Sequence, residues 1–98
     1  MNKKTYVMGL CKDRHPAPVK EGVFPNVVMN TFNPDYLYRE ANKNIPEDCG
    51  RLALYVTGLT VAIMAVVRVC SERHIDLTCY HWEPGNNVYN RQDVLKWN

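Results

Sequence analysis

Apolar residues concentrate between residues 51 and 80, in a pattern that predicts a strand, a turn, a helix and a second strand. Residues 52–56 form a short apolar run with β-branched and aromatic members, which is typical of a strand. Residues 59–73 hold several β-branched side chains that also suit a sheet, but the length of this run favours a mostly buried helix. Residues 75–80 predict the next strand. The positions of the helix that share one face at helical spacing are Ile63, Val66, Val67 and Cys70.

The amino-terminal half repeats this alternation of strand and helix. Residues 5–10 and 22–32 predict two strands. The Asn-Pro-Asp sequence at residues 33–35 suits a helix start, because asparagine caps, proline fits the first position and aspartate complements the dipole. Pro46 ends that helix. We therefore expect a mainly parallel sheet in a single α/β domain that covers residues 1–98.

The chain after the last of these strands predicts a turn and an edge strand. Residues 83–87 (EPGNN) are a strong turn sequence, and residues 88–90 predict a short edge strand. Residues 93–97 suit either a last helical turn or a docked tail. The late aromatic side chains suit packing in the core or in a dimer interface, and they could instead stack on a base. They are Tyr80, Trp82, Tyr89 and Trp97.

Composition excludes some classes of function. The 98 residues are 46% hydrophobic and 22% charged, as in an ordinary globular protein. A net charge of +2 is too small to indicate bulk electrostatic binding, so we expect no duplex nucleic acid as partner. The apolar stretch at residues 52–67 is short for a membrane span, and the amino terminus lacks the apolar core of a signal peptide. We expect a soluble, cytoplasmic protein without a membrane partner.

The four cysteines predict free thiols. The chain has no secretion signal, and three of the cysteines lie within or beside apolar runs. Cys70 with His74 and Cys79 with His81 form two neighbouring Cys/His pairs, which raises a zinc site as an alternative. Because no CxxC motif accompanies them, we expect no metal and no cofactor.

Polar residues follow the carboxyl ends of the two strands predicted at residues 52–56 and 75–80. A parallel crossover places those ends at one edge of the sheet, where ligands of open α/β folds bind. Gly58 permits a tight turn, and backbone amides with threonine hydroxyls at a helix start suit a phosphate. The same residue types also serve an ordinary strand-to-helix turn with a threonine cap. The candidate ligand-binding residues at this edge are Thr57, Gly58, Thr60, Tyr80 and Trp82, and His81 is a candidate for proton transfer.

A second group of candidates follows the first predicted strand. Lys12 and Arg14 could offset phosphate charge there, and His15 could transfer a proton. The alternative is a solvated surface loop. If the first strand is parallel to the central one, this segment lies at the same edge as Thr57 and His81. The candidate catalytic residues are therefore Arg14, His15 and His81.

The sequence LALYVTGLT at residues 52–60, an apolar strand that ends in a Thr-Gly-x-Thr turn and enters an apolar helix, resembles the ligand-binding turn of CRISPR-associated Rossmann-fold (CARF) domains. The next strand, ending at Tyr80 and His81, is similar in layout to small CARF-like and ring-nuclease proteins. The resemblance implies a small Rossmann-like domain of two or three layers. It also implies a homodimer that binds a cyclic oligoadenylate across its two-fold axis in antiviral defence. Some members cleave that ligand without metal, by positioning a ribose hydroxyl for attack on the phosphate. By this resemblance the phosphate-cradling turn comprises Thr57, Gly58, Leu59 and Thr60.

The sequence therefore predicts binding of a cyclic or linear oligonucleotide at the carboxyl edge of the sheet. Because the chain is short and lacks a second effector domain, we expect a stand-alone ligand-binding protein or ring nuclease. Whether the ligand is also cleaved by a metal-independent phosphodiesterase activity stays open. One alternative is a non-enzymatic, homo-oligomeric interaction protein. The other is a small metal-binding or redox protein that uses the Cys/His pairs.

Overall fold

A computed structural model describes residues 3–11, 22–24, 33–56 and 60–97 of the chain. Helix and strand alternate in this part much as the hydrophobic pattern predicts. The elements are β1 (Lys4–Cys11), β2 (Gly22–Phe24), α1 (Pro34–Asn44), β3 (Cys49–Val56), α2 (Thr60–Glu72), β4 (Asp76–Glu83) and β5 (Val88–Leu95).

The strands form one sheet in the order β2-β1-β3-β4-β5. β1, β2, β3 and β4 are mutually parallel, and β5 runs antiparallel to β4. Met8, Leu54 and Cys79 lie side by side in neighbouring strands. The predicted α/β class, the mainly parallel sheet and the parallel pairing of β3 with β4 are thus confirmed.

The two helices cover one face of this sheet. The crossovers through α1 and α2 both lead in the same direction along the sheet, so right-handed connections place both helices on the same side. Their contact agrees with this, since Arg68 of α2 lies 3.8 Å above the Tyr38 ring of α1. The described part of the chain is therefore a two-layer α/β arrangement.

The hydrophobic core lies between that sheet face and the helices. Leu54 is fully buried and Val56 is 4% exposed, as their place in the central strand predicts. The largest fully buried side chains come from both the sheet and the helix layer. They are Phe24, Leu10, Leu37, Ile45, Leu52, Leu54, Ile75 and Leu77.

Local sequence sets the ends of α1. Asn33 caps the helix, because its side-chain oxygen accepts from the amides of Asp35 at 3.0 Å and Tyr36 at 3.2 Å. Proline occupies the first turn, as expected. The helix ends at Asn44, two residues before Pro46.

A residue other than glycine closes α2. His74 adopts a left-handed conformation, with φ of 53°. The Ile75 amide then donates to the carbonyl of Cys70 at 2.8 Å, which is the hydrogen bond of a Schellman-type helix end. This closure turns the chain directly into β4.

The carboxyl-terminal region differs from the sequence prediction. β5 extends to Leu95 rather than ending at residue 90, and residues 93–97 form no helical turn. Polar cross-strand pairs, including the Thr78 hydroxyl donating to Asp93 at 3.1 Å, support the longer strand despite its few apolar residues. The docked-tail alternative is correct for Trp97. Of the strand predicted at residues 22–32, only residues 22–24 lie within the described part.

Cys49, Cys70 and Cys79 are free and buried, as the sequence predicts. Burial raises the pKa of the Cys70 thiol to about 12 and that of Cys79 to about 11, and it also raises the pKa of Cys49. These three thiols pack as small apolar side chains. Neither described helix has the length and apolar character that a membrane span requires.

Candidate functional site

The strand order creates a topological switch between β1 and β3. From β1 the chain passes to β2 on one side, and it then returns through α1 to β3 on the other side. β1 and β3 pair in parallel up to Gly9 opposite Tyr55. Both strands therefore end at the same sheet edge, β1 at Cys11 and β3 at Val56. Ligands of open α/β sheets bind at this kind of position.

The residues that follow these two strand ends in sequence are the candidates from the sequence analysis. β1 is followed directly by Lys12, and β3 is followed directly by Thr57. The conditional prediction that β1 runs parallel to the central strand is confirmed. Six candidate residues themselves lie outside the described residues, so their roles stay predictions. These are Lys12, Arg14, His15, Thr57, Gly58 and Leu59.

Both helices begin at this edge, because each follows the carboxyl end of a parallel strand. The amino terminus of α1 is already compensated by the Asn33 cap and by Asp35 in its first turn. The first turn of α2, which starts at Thr60, contains no acidic residue. The positive end of the α2 dipole therefore meets no carboxylate from its own first turn, which favours an anionic ligand there.

Thr60 is exposed and lies at one end of a groove of about 320 Å³ between the helices. Arg68 also lines the groove, but its charge is engaged by Glu72 at 3.7 Å and Asp35 at 3.9 Å. The Tyr38 hydroxyl donates to Glu72, and this hydrogen bond raises the pKa of Tyr38. The other lining residues are Pro34, Val61, Met64 and Ala65. This groove is thus mostly apolar away from Thr60.

Pleating separates the three candidates on β4. His81 pairs with Val56, so it lies on the helix-covered side of the sheet, as Thr60 does. It is half-buried, and its Nε2 lies 2.8 Å from Oε1 of Gln92. Tyr80 and Trp82 lie on the opposite side. The structure therefore brings His81 to the side where α2 begins, but it does not bring Tyr80 or Trp82 to that side.

The sheet face opposite the helices, here called the open face, carries a group of packed aromatic rings. Tyr55 stacks on Tyr80 with ring centroids 4.9 Å apart and meets Tyr89 edge-on at 4.8 Å. The Trp82 and Tyr89 centroids are 5.0 Å apart. The Tyr89 hydroxyl is buried and has no hydrogen-bond partner among the described residues, and burial raises its pKa. We call Tyr55, Tyr80, Trp82 and Tyr89 the aromatic cluster.

A polar depression of about 210 Å³ lies beside this cluster, toward the amino ends of β3 and β4. Arg91 contacts Asp93 at 3.2 Å, and Arg51 lies 3.9 Å from Asp76. Hydrogen bonds from Thr78 and Arg91 lower the pKa of Asp93. The Trp97 amide donates to Asp76 at 2.7 Å, and its indole donates to the Ile75 carbonyl at 3.0 Å. Lys96 also lines the depression, so its lining has three basic and two acidic side chains, four of which form two pairs of opposite sign.

Sequence reasoning did not find this face. The signal was present, because Arg51, Ala53 and Tyr55 alternate with the buried residues of β3. Only the register shows that this alternation lines up with Tyr80 and Tyr89.

Comparisons with known proteins add no relative. No protein-family model matches the chain, and no curated protein or solved structure matches it. Within the described ranges, no group of three or more His, Cys, Asp or Glu side chains could hold a metal ion.

Proposed function

We propose that the protein binds a cyclic oligonucleotide of the cyclic-oligoadenylate class at the carboxyl edge of the sheet, between β1 and β3. The observation that carries this proposal is the parallel register of β1 with β3 at the topological switch. Because of this register, two segments begin at the same edge of the sheet. One contains Lys12 and Arg14, and the other contains the Thr-Gly-Leu-Thr turn. The resemblance of that turn to CARF domains supplies the ligand class, and it suggests a role in antiviral defence.

Charge at this edge supports an anionic ligand. The start of α2 carries no acidic residue in its first turn, whereas α1 carries Asp35. Lys12 and Arg14 would add positive charge, and Gly58 would let the backbone approach a phosphate. Since Tyr80 and Trp82 lie on the other side of β4 from His81, the proposed pocket does not include them.

Cleavage of the bound ligand is the second part of the proposal. The 2′-hydroxyl of one ribose attacks the adjacent phosphorus, the new 2′-O–P bond forms, and the P–O5′ bond breaks. A base accepts the proton of the 2′-hydroxyl, and an acid protonates the departing 5′-oxygen. His15 and His81 are the proposed proton-transfer groups, and Arg14 stabilises the phosphate charge. Since Nε2 of His81 contacts Gln92, we assign its proton transfer to Nδ1.

Isothermal titration with cyclic tetra-adenylate, cyclic hexa-adenylate and their linear counterparts tests the binding step. We expect Gly58→Val and Arg14→Ala to weaken binding, and Arg14→Ala to reduce its salt dependence. Arg39→Ala is the matched control, because Arg39 is exposed on α1. No binding of any of these oligonucleotides, or equal binding by all variants, would contradict the proposal.

Product analysis by chromatography tests cleavage separately. We expect His15→Ala and His81→Ala to lower turnover more than affinity, because a proton-transfer group acts chiefly in the transition state. Cleavage should continue in the presence of a chelator. Binding without products would leave a ligand-binding protein and remove the ring-nuclease part.

The homodimer that the resemblance implies is also part of this proposal. The alternative, a non-enzymatic homo-oligomeric interaction protein, also requires an oligomer. One observation favours this alternative, the packed aromatic cluster on the open face.

A further inference from the structure

The open face lacks the cover that a parallel sheet normally has. Purely parallel sheets occur almost only with both faces covered, because both faces are largely apolar. Here four parallel strands have described helices on one face only. On the other face Val7 is 49% exposed, and Ala53, Tyr55 and Tyr80 are only partly buried. Within the described ranges, the open face is therefore accessible to a binding partner.

The charged residues beside the aromatic cluster are mostly basic. The polar depression of about 210 Å³ adjoins a second depression of about 340 Å³, since Arg51 and Asp76 line both. Among the described residues, the combined lining has two acidic side chains and five basic ones. The basic ones, here called the basic strip, are Lys3, Lys4, Arg51, Arg91 and Lys96. Only the charge of Lys4 is offset by a carboxylate outside this lining, that of Asp48 at 3.6 Å.

The two acidic side chains are less available to a partner than the basic ones. Asp76 is 7% exposed, accepts from the Trp97 amide at 2.7 Å and lies 3.9 Å from Arg51. Asp93 is exposed, but its Oδ1 lies 3.2 Å from Nε of Arg91. Arg51 and Arg91 each have 64% of the side chain exposed. The open face therefore presents an excess of positive charge.

Positive charge beside aromatic rings selects one class of partner. An aromatic cluster by itself suits either a protein interface or the stacking of bases. Proteins that bind single-stranded nucleic acid combine a positively charged surface along the backbone with aromatic side chains on which the bases stack. The open face has both features, and a polyanion without bases would use only the charge.

The register brings the aromatic and basic residues close together. Tyr80 pairs directly with Arg91, so their Cβ atoms lie about 5 Å apart. Arg51 precedes Tyr55 by four residues on the same face of β3, a separation of about 13 Å. A strand that stacks a base on Tyr80 therefore has phosphates within reach of both arginines.

An acceptor among these residues favours RNA over DNA. Asp93 pairs with Thr78, one row from Tyr80 and Arg91. The hydrogen bonds from Thr78 and Arg91 both reach its Oδ1. A carboxylate has acceptor positions on both oxygens, so Oδ2 suits a hydroxyl donor. The 2′-hydroxyl of ribose is such a donor, and DNA lacks it.

We propose that the open face binds single-stranded RNA, with bases stacked on the aromatic cluster, phosphates on the basic strip and a ribose hydroxyl on Asp93. This site is separate from the one proposed at the carboxyl edge and shares no residue with it. Either site can therefore fail its test without the other.

Fluorescence anisotropy with a labelled oligo-uridylate of about 12 nucleotides tests the proposal. This probe contains no adenine, so it lies outside the ligand class proposed for the carboxyl edge. Arg51→Ala with Arg91→Ala should weaken binding and reduce the slope of log Kd against log salt by about 1.4, since each phosphate contact of a single strand contributes about 0.7. Arg39→Ala with Lys43→Ala, on the exposed side of α1, removes the same charge and should leave the slope unchanged.

Two further comparisons test the bases and the ribose. Tyr80→Leu removes the ring and should raise Kd by about 10-fold, whereas Tyr80→Phe keeps the ring and should bind like the wild type. Oligo-deoxyuridylate of the same length should bind about 10-fold more weakly than the RNA, and Asp93→Ala should remove this preference. Circular dichroism should show that every variant is folded.

Several outcomes would overturn the proposal. They are no binding of RNA by the wild type, equal salt slopes in the arginine variant and its control, equal binding by Tyr80→Leu and the wild type, and equal binding of RNA and DNA. Light scattering after size exclusion tests the competing class of partner. A wild-type dimer that binds no RNA and that Tyr80→Leu converts to a monomer would show that the open face is a protein interface.

Discussion

The guanidinium group of Arg73 donates a hydrogen bond to the carbonyl oxygen of Ile45 across 3.1 Å. The same group reaches the carbonyls of Asn42, at 3.5 Å, and Pro46. The last carbonyl groups of a helix have no hydrogen-bond partner within that helix. Here Arg73, which follows the end of α2, donates to the carbonyl groups at the end of α1. This contact joins the two helices at the amino edge of the sheet.

Replacing this side chain should therefore destabilise the domain. Arg73→Met keeps much of the aliphatic stem but removes every donor, and we expect a loss of about 1.5–3 kcal/mol in the free energy of unfolding, the range for hydrogen bonds to a charged group. Urea denaturation measures this loss. Arg39→Met, on the exposed surface of α1, should change stability by no more than about 0.5 kcal/mol. Equal effects of the two substitutions would show that the Arg73 contacts are not significant.

The left-handed conformation of His74 gives a second prediction. Its ring centroid lies 4.4 Å from that of Trp97, so both His74→Ala and His74→Gly lose this contact. Only glycine is free of steric strain at φ of 53°. We expect His74→Gly to be more stable than His74→Ala by about 1 kcal/mol. Thermal unfolding of the two variants compares them directly, and a more stable alanine variant would contradict the assignment of strain.

The buried thiols should resist alkylation in the native state. Burial raises the pKa of Cys70 to about 12 and that of Cys79 to about 11, so little thiolate forms at pH 8, and neither sulfur is accessible. Peptide mapping after iodoacetamide treatment should find Cys49, Cys70 and Cys79 unmodified in native protein and modified in guanidinium. Rapid native labelling of Cys70 would mean that the α2 layer opens readily.

The pair of Tyr6 and Asp48 should make stability depend on pH at both extremes. The Tyr6 hydroxyl donates to Asp48 at 2.7 Å, which lowers the pKa of Asp48 below 3.8 and raises that of Tyr6 above 10.0. A depressed carboxyl pKa stabilises the fold above its unfolded pKa, and this contribution is lost as pH falls through the folded pKa. A raised phenol pKa stabilises the fold below its unfolded pKa, and this contribution is lost as pH rises through the folded pKa.

Tyr6→Phe should consequently be less stable than the wild type between about pH 5 and pH 9, and the difference should shrink on both sides of that window. Urea denaturation across this range and beyond it measures the profile. Tyr36→Phe, at an exposed hydroxyl on α1, should show no such profile. A difference between Tyr6→Phe and wild type that is constant with pH would assign the effect to packing alone.

Sequence reasoning found the elements whose local signals were strong. The Asn33-Pro34 start of α1 and the helical state of α2 were predictable because capping chemistry and helical periodicity act within a few residues. The buried face of α2 was only partly predicted, since Val66 and Cys70 are buried but Ile63 and Val67 are only partly buried. The length of β5 was not, because its residues alternate weakly and its support comes from partners on β4, such as Thr78. Strand stability that depends on cross-strand pairs cannot be derived from one strand alone.

The candidate site was also predictable only in part. The common edge of β1 and β3 followed from the parallel prediction, but the separation of His81 from Tyr80 and Trp82 follows only from register and pleating. A sequence places these three residues together because they are adjacent, whereas a strand directs neighbouring side chains to opposite faces. The open face was missed for a related reason, since its residues come from strands that are distant in sequence.

The pairing of β1 with β3 has a consequence for synthesis on the ribosome. β1 emerges early, but its most extensive partner is made only after β2 and α1. Until β3 emerges, apolar residues such as Met8 and Leu10 lack the neighbour that covers them, and the nascent chain presents an unpaired strand edge. β4 and β5, by contrast, are joined by a short turn and can pair as soon as both are made. Products truncated before residue 49 should therefore aggregate or engage chaperones.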